Sequence, residues 1–318
     1  MNTSRPYSVV VTGATSGLGF ECARSVLARS PLAHVVVAAR DPSKTAAAVA
    51  DLSGEADGRI HSVPLNLGSL ASVRASAAEI AERGAEEGWP PVRAVVCNAG
   101  TQSLTEVRTT ADGFEQTFGV NHLGHYLFIR ELMPRLPEVE RVVVVASGTH
   151  DPDTLDGRTA RAVRPDARVL ADPEGTPDLS GFQRYSTSKL SNVLFAYELD
   201  RRARAADRPL IVAAFDPGAV PETGLIRSAP AALRWLFRSR ALALALRALG
   251  SGVNTAEVSG GHMASLAVGE AVESGAYYQV RRGEMTTARS SEDSYDEGLA
   301  AKLWDDSAAL VGVSPTLI

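Results

Sequence analysis

Lysine is almost missing from this chain. Only Lys44, Lys189 and Lys302 occur among 318 residues and 32 basic side chains, the remainder being arginine. Cysteine is as scarce. Cys22 and Cys97 are too few for a disulfide framework and have no metal-ligand spacing around them, so a reducing, cytoplasmic setting is expected. No uninterrupted apolar run reaches the roughly 18 residues that a spanning helix needs, and no signal-peptide core precedes the first strand. An excess of positive charge is lacking too: the formal net charge of −5 argues against nucleic acid as the main partner. No internal repeat or low-complexity linker is visible. Residues 1–318 therefore read as one domain of ordinary globular composition.

What the chain has is alternation. Strands are predicted at 8–12, 34–40, 60–65, 94–98, 141–147, 210–216 and 276–280, with helical patterns between them. The runs V-V-V-A-A and V-V-V-V-A are apolar throughout, as strands covered on both faces should be. The implied class is α/β: a single doubly wound, Rossmann-type parallel sheet of about seven strands with helices on both faces. Two segments break the rhythm. Residues 149–184 form a polar insertion rich in Asp, Arg, Pro and Gly. Residues 219–252 are apolar but punctuated by Arg234, Arg238, Arg240 and Arg247. This second segment reads as an amphipathic helix on the sheet, a lid over a substrate, or a membrane-surface contact.

The first strand runs into T-G-A-T-S-G-L-G. Gly13, Gly17 and Gly19 permit a tight turn and close backbone approach to a pyrophosphate at a helix start; Thr15, Ser16 and Leu18 belong to the same loop. The second strand ends at Arg40, where a chain preferring NAD would carry a carboxylate. Arginine suits the 2′-phosphate of NADP, and Lys44 adds charge one turn later. Asp41 is expected to cap the helix beginning near Pro42 rather than to face a ribose. Asn66-Leu67 follows the third strand and is placed to meet an adenine edge. Asn98-Ala99-Gly100 follows the fourth, where a dinucleotide would cross the strand ends.

Tyr185 and Lys189 stand four apart in Y-S-T-S-K, on one face of a predicted helix. With seven tyrosines and three lysines, a chance Tyr-x-x-x-Lys is about a 7% event, so the pair needs company. A fixed ammonium beside a phenol would favour its phenolate. Ser147 ends the fifth strand, and Asn121 lies on the preceding helix in V-N-H-L-G-H-Y-L-F. Asp216-Pro217-Gly218 follows the sixth strand, with Val220 just beyond. His122 and His125 have no carboxylate or cysteine at metal-site spacing; they read as packed or capping residues, and no metal is expected.

With these pieces together, the chain resembles the short-chain dehydrogenase/reductase family along nearly all its length. The matching pieces are T-G-A-T-S-G-L-G, N-A-G at 98–100, Asn121, Ser147, Y-S-T-S-K and P-G at 217–218. A-A-R-D, L-N-L-G-S-L-A-S-V-R, V-N-H-L-G-H-Y-L, S-K-L-S-N-V-L-F, T-G-L-I-R and the tail A-A-K-L-W-D-D-S-A-A-L-V-G-V are similar to the branch holding retinol dehydrogenases and light-dependent protochlorophyllide reductases. The resemblance implies Tyr185 as general acid in carbonyl reduction and base in alcohol oxidation. It implies that Lys189 lowers the tyrosine pKa and binds the nicotinamide ribose, that Ser147 hydrogen-bonds the substrate oxygen, and that Asn121 holds a water leading from Lys189 to solvent. It also departs from the family in four places. Asn66 stands where aspartate is usual; Glu222, then Thr223, follow the Pro-Gly where a threonine touches the nicotinamide amide. The serine-to-tyrosine separation is long, and Ser191 with no nearby cysteine argues against light-driven pigment reduction.

The expectation is an NADPH-dependent oxidoreductase acting on a carbonyl or secondary alcohol of a fairly large, apolar small molecule. Reduction of a polarised C=C or C=N bond is the alternative, and a non-catalytic NADP sensor a third reading. A homo-oligomer is compatible with the family resemblance.

Overall fold

Runs of valine and alanine form the centre of the molecule. The computed structural model describes residues 4–54, 56, 58–175, 178–220 and 253–317. Its strands are β1 (Tyr7–Thr12), β2 (Ala33–Ala39), β3 (Ile60–Pro64), β4 (Val92–Cys97), β5 (Arg141–Val145), β6 (Ile211–Asp216), β7 (Ala276–Arg281) and β8 (Glu284–Ala288). They lie in the order β3-β2-β1-β4-β5-β6-β7-β8, parallel throughout except for β7 with β8. β1, β4 and β5 are buried almost completely on both sides because helices cover both faces. The winding reverses between β1 and β4, and ligands of such sheets sit in the crevice beyond those strand ends.

The helices are α1 (Gly17–Arg29), α2 (Pro42–Ser53), α3 (Leu70–Glu86), α4 (Gln116–Phe118), α5 (Gly124–Arg135), α6 (Leu155–Thr159), α7 (Ala167–Ala171), α8 (Gly181–Ala205), α9 (Ala256–Val268) and α10 (Glu297–Val311). One core lies beneath α1 and α9; the other lies between the sheet and α3, α5, α8 and α10. α9 packs on α1 through Gly260, where a Cβ would fall 2.6 Å from that of Glu21. The cap predicted at Asp41 forms, its carboxylate accepting from Ser43 N and Lys44 N, and Ser69 caps α3 by accepting from Ser72 N.

Eight strands stand where about seven were expected. β8 is short, polar and half exposed, so it carries no apolar run. Its signal is the turn. Arg282 (φ 55°) and Gly283 (φ 86°) form a two-residue hairpin loop with both central residues left-handed.

The 149–184 insertion folds largely against the C-terminus. α7 buries Ala167, Leu170 and Ala171. Arg164 pairs with Asp293 and Asp296, Arg168 with Asp306, and Lys302 with Asp166 and Asp306, at 2.5–2.9 Å. Exposed pairs are worth about 0–1 kcal/mol each, so the buried face of α7 does most of the anchoring. Thr149 and His150, at the start of the insertion, adjoin Ser147. Of the 219–252 segment, residues 221–252 lie outside the described residues. Its flanks meet: Ala219 bridges Val253, and Asn254 N donates to Ala219 O at 2.8 Å.

Candidate active site

The crevice begins at the β1–α1 turn. Gly13 (φ 70°) lies so close to β4 that a Cβ there would sit 2.9 Å from the Ala99 Cβ; one at Gly19 would fall 2.5 Å from Asn98 Nδ2. Thr12 laces the two strand ends together. Its hydroxyl accepts from Asn98 N (2.9 Å) and Ala99 N (3.0 Å), while Asn98 Nδ2 donates to Thr12 O (2.8 Å). At the start of α1, Ser16 makes no side-chain cap and the first turn holds no acid. The leading N–H groups therefore suit a pyrophosphate, and the side-chain-free cradle fits a dinucleotide. Thr15 is half-buried and Ser16 exposed beside it, whereas Leu18 turns its side chain into the core and offers only its backbone.

Arg40 is exposed beyond β2 and makes no ion pair among the described residues. Asp41 is committed elsewhere: hydrogen bonds from Ser43 and the Lys44 backbone hold its carboxyl down to about 2, and Lys44 Nζ lies 3.4 Å from it. Asn66 Oδ1 accepts from Gly68 N at 3.1 Å, closing its own turn, and so leaves only its amide for a ligand. Leu67 is buried in the core, with its carbonyl against Gly124, and can contribute main chain alone. Asn98 likewise spends its amide on β1. Gly100 lies beside Lys189: a Cβ there would be 3.8 Å from Nζ, an ordinary contact distance. Pro217 and Gly218 (φ 71°) follow β6, and Val220 is buried; Thr223 lies outside the described residues.

α8 opens with a capping box, Ser180 with Gln183, which sets Tyr185 one turn inside the helix. Just before Tyr185, buried Arg184 donates to Leu179 O, Ser103 O and Glu106 O and lies 3.4 Å from the Glu115 carboxylate, fastening the 103–106 loop to the helix start. Ser147 lies near enough to the Tyr185 phenol to act on its ionisation. Ser147 Oγ accepts from Thr149 Oγ1 at 3.2 Å. Lys189 Nζ lies 5.7 Å from the Tyr185 ring centroid and donates to Val145 O at 2.9 Å.

The electrostatics depart from a simple lysine-lowered phenol. Burial pushes Tyr185 well above the ordinary tyrosine value despite the opposing effect of Ser147, and the carboxylate of Asp216 adds to that rise. Burial also brings Lys189 down to about 8, with Asp216 opposing it. Two buried groups here each disfavour their own charge, and desolvation outweighs their mutual attraction.

Asn121 sits in a π-helical turn, Gly119–Leu123, that joins α4 to α5. Its Oδ1 accepts from Thr101 N (2.7 Å); its Nδ2 donates to Thr101 O and Ser188 Oγ (3.0 Å each). His125 Nδ1 donates to Asn121 O (3.1 Å), which leaves Nε2 to accept from the Thr12 hydroxyl (2.9 Å). His122 packs among Phe118, Tyr126 and Phe195 and meets Ser307 at 2.9 Å.

Sequence reading missed His150 and the side-chain part of Asp216. His150 is buried, donates from Nδ1 to Ser147 O (2.6 Å) and accepts from Ser291 N (3.2 Å). Its only sequence signal is a histidine three places after Ser147. Among the described residues, no helix is long and apolar enough to cross a membrane.

This is an oxidoreductase on a dinucleotide-binding fold. A profile described as short chain dehydrogenase matches residues 7–152. Over 330 aligned residues the chain is 33% identical to protochlorophyllide reductase B, chloroplastic, of Hordeum vulgare, covering 98% of this chain and 80% of that one. It is 32% identical to polyprenol dehydrogenase of Danio rerio, over 96% of this chain and 86% of that one. Among solved structures, an uncharacterised protein of Mycobacterium paratuberculosis aligns with a TM-score of 0.69 and 28% identity, covering 98% and 97% of the two chains. A Beutenbergia cavernae structure described as an NAD(P)-dependent gluconate 5-dehydrogenase with bound NADP gives 0.63 at 21% identity, over 88% and 97%, and speaks to the fold alone. The chain belongs to the short-chain dehydrogenase/reductase family.

Proposed function

We propose that the protein is an NADP(H)-dependent oxidoreductase that reduces a carbonyl, or oxidises a secondary alcohol, on a fairly large apolar small molecule. The observation that carries the reading is the gathering of Tyr185, Ser147 and Lys189 at the carboxyl end of the sheet, next to the glycine cradle. Bound nicotinamide supplies or accepts the hydride. The chain's own residues manage the oxygen and its proton. Ser147 hydrogen-bonds the substrate oxygen, and Tyr185, a phenol held protonated by its burial, gives it a proton as alkoxide character develops. In oxidation Tyr185 takes that proton back. Lys189 holds positive charge beside the phenol, and Asn121 fixes the 98–101 loop against α8.

NADP is preferred over NAD because Arg40 is exposed and makes no ion pair among the described residues where a ribose-binding carboxylate would otherwise stand. The 2′-phosphate supplies the dianion that a guanidinium binds well. A second reading, reduction of a polarised C=C or C=N bond, is favoured by the likeness to protochlorophyllide reductases over 98% of the chain. Incubation with NADPH and a panel of aldehydes, ketones, enones and imines, followed at the nicotinamide absorbance, separates the two. Turnover of enones to saturated ketones without carbonyl reduction would establish the second; no oxidation of NADPH by any member would sink both.

A further inference from the structure

The loop that leaves β4 through Asn98-Ala99-Gly100 is anchored at Thr101 by Asn121 and again, further on, by Arg184. Arg184 immediately precedes Tyr185. Its Nη2 donates to Ser103 O and to Glu106 O at 3.1 Å each, and its Nη1 donates to Leu179 O at 2.7 Å. The loop lies directly on the first turn of α8, so that a Cβ at Gly181 would fall 2.5 Å from Leu104 Cα. The same planar guanidinium carries Nε, which stands 3.4 Å from Glu115 Oε1.

Glu115 gathers a second set of elements. Its Oε2 accepts from Phe118 N at 2.8 Å and caps α4, which leads through the π-turn to Asn121. Its backbone N donates at 2.8 Å to Ala171 O, on α7 of the 149–184 insertion. Arg184 is 5% exposed and Glu115 1%, so two opposite charges are held out of water here. Such a pair is a poor source of stability, because desolvation offsets its attraction. The contact between Nε and Oε1 also lacks hydrogen-bond geometry, and neither atom has another hydrogen-bond partner among the described residues. Each side chain is therefore fixed by its other bonds, and the pair joins the two sets.

We propose that Glu115 and Arg184 are positioning residues: a buried ion pair that sets the start of α8, and with it the Tyr185 phenol, against the 101–106 loop. Arg184 acts through Tyr185, to which one peptide bond joins it. Side chains of a helix lean toward its N-terminus, the end that Arg184 holds. The long separation between Ser147 and Tyr185 thereby acquires a role, since α7 is seated where its Ala171 carbonyl fixes Glu115.

The inference rests on reading Tyr185 as the proton donor, and one arm of its test needs no turnover. With tyrosine labelled with carbon-13 at Cζ, seven signals appear, and Tyr185→Phe identifies that of Tyr185. Glu115→Gln keeps the shape and the acceptor for Phe118 N, removes the charge, and lies far from Tyr185 in the sequence. It should move the Tyr185 signal while those of Tyr7, Tyr278 and Tyr295 stay in place. In the second arm, kcat with the best carbonyl substrate should fall by about 10–10² per NADPH-binding site, with KM and NADPH affinity changed by about twofold at most. A cap that served stability alone would lower the urea midpoint and move neither readout. An unmoved Tyr185 signal overturns the proposal, and so does an unchanged kcat. If Glu115→Gln does not fold, Arg184→Lys, which keeps the charge but loses the planar fork, is read in the same way. Should no carbonyl of the panel be reduced, the proposed reaction falls and the Tyr185 signal alone decides the positioning.

Discussion

The side-chain amide of Asn121 pairs with the backbone of Thr101 through both of its polar atoms, accepting from N at 2.7 Å and donating to O at 3.0 Å. It thereby acts as a strand neighbour to the loop, and it sits in the π-turn between α4 and α5. The fully buried Asn121 also holds Ser188 of α8, so one residue fixes the N-A-G loop against the Tyr185 helix.

Asn121→Ala should cost about 2–4 kcal/mol, since it strands a backbone donor and a backbone acceptor and removes a bond that the Ser188 hydroxyl accepts. Urea unfolding monitored by circular dichroism measures this. A loss below about 1 kcal/mol would mean that water replaces the amide at little cost.

Tyr185→Phe should leave NADPH affinity almost unchanged while lowering turnover of the best carbonyl substrate by about 10²–10⁴-fold, the usual worth of a positioned proton donor. Ser147→Ala should fall in the same range, and the double variant little further, because the two hydroxyls act as a unit. Nicotinamide fluorescence gives the affinity and absorbance the rate. Full turnover by the phenylalanine variant would remove Tyr185 from the proton path.

Arg40→Glu should weaken NADPH binding by tenfold or more, as about 1.5–3 kcal/mol of charge-assisted hydrogen bonding gives way to repulsion. NADH binding should change little. Lys44→Ala should have a smaller effect, because its ammonium is shared with Asp41 at 3.4 Å. Calorimetric titration with both cofactors tests the pair. Equal loss for NADH and NADPH would place Arg40 elsewhere than at the 2′-phosphate.

Much of this was legible in the sequence because it is local. Valine runs, the glycine loop, the Asp41 cap and the i,i+4 spacing of Tyr185 and Lys189 each depend on neighbours along the chain. The β8 hairpin was not read, since a polar edge strand has no apolar period and its Arg282–Gly283 turn is a brief signal. Asn66, Leu67 and Asn98 were placed correctly at strand ends, but their side-chain partners depend on the fold: a turn amide, the core and the β1 carbonyl. The direction in which Tyr185 shifts was invisible for the same reason. Spacing reveals a neighbouring ammonium, whereas burial, the larger effect, is set by the packing of α8 on the sheet.

Acid should destabilise the protein well above the range in which its carboxylates titrate. Burial lowers His122 from 6.5 to about 3 and His125 to about 4, so both stay neutral when folded, while the unfolded chain protonates them near 6.5. The unfolded state therefore binds more protons between these limits. The stabilisation is complete above pH 6.5 and is lost as pH falls toward 4, at about 1.4 kcal/mol per pH unit for each histidine. His150 is lowered also and adds to the slope. His122→Leu gives up the Ser307 hydrogen bond and should be less stable at pH 7.5, yet it should lose stability more gradually between pH 6.5 and 4.5. Urea midpoints across that interval provide the check. Parallel pH profiles for the two proteins would show that His122 contributes nothing to the acid response.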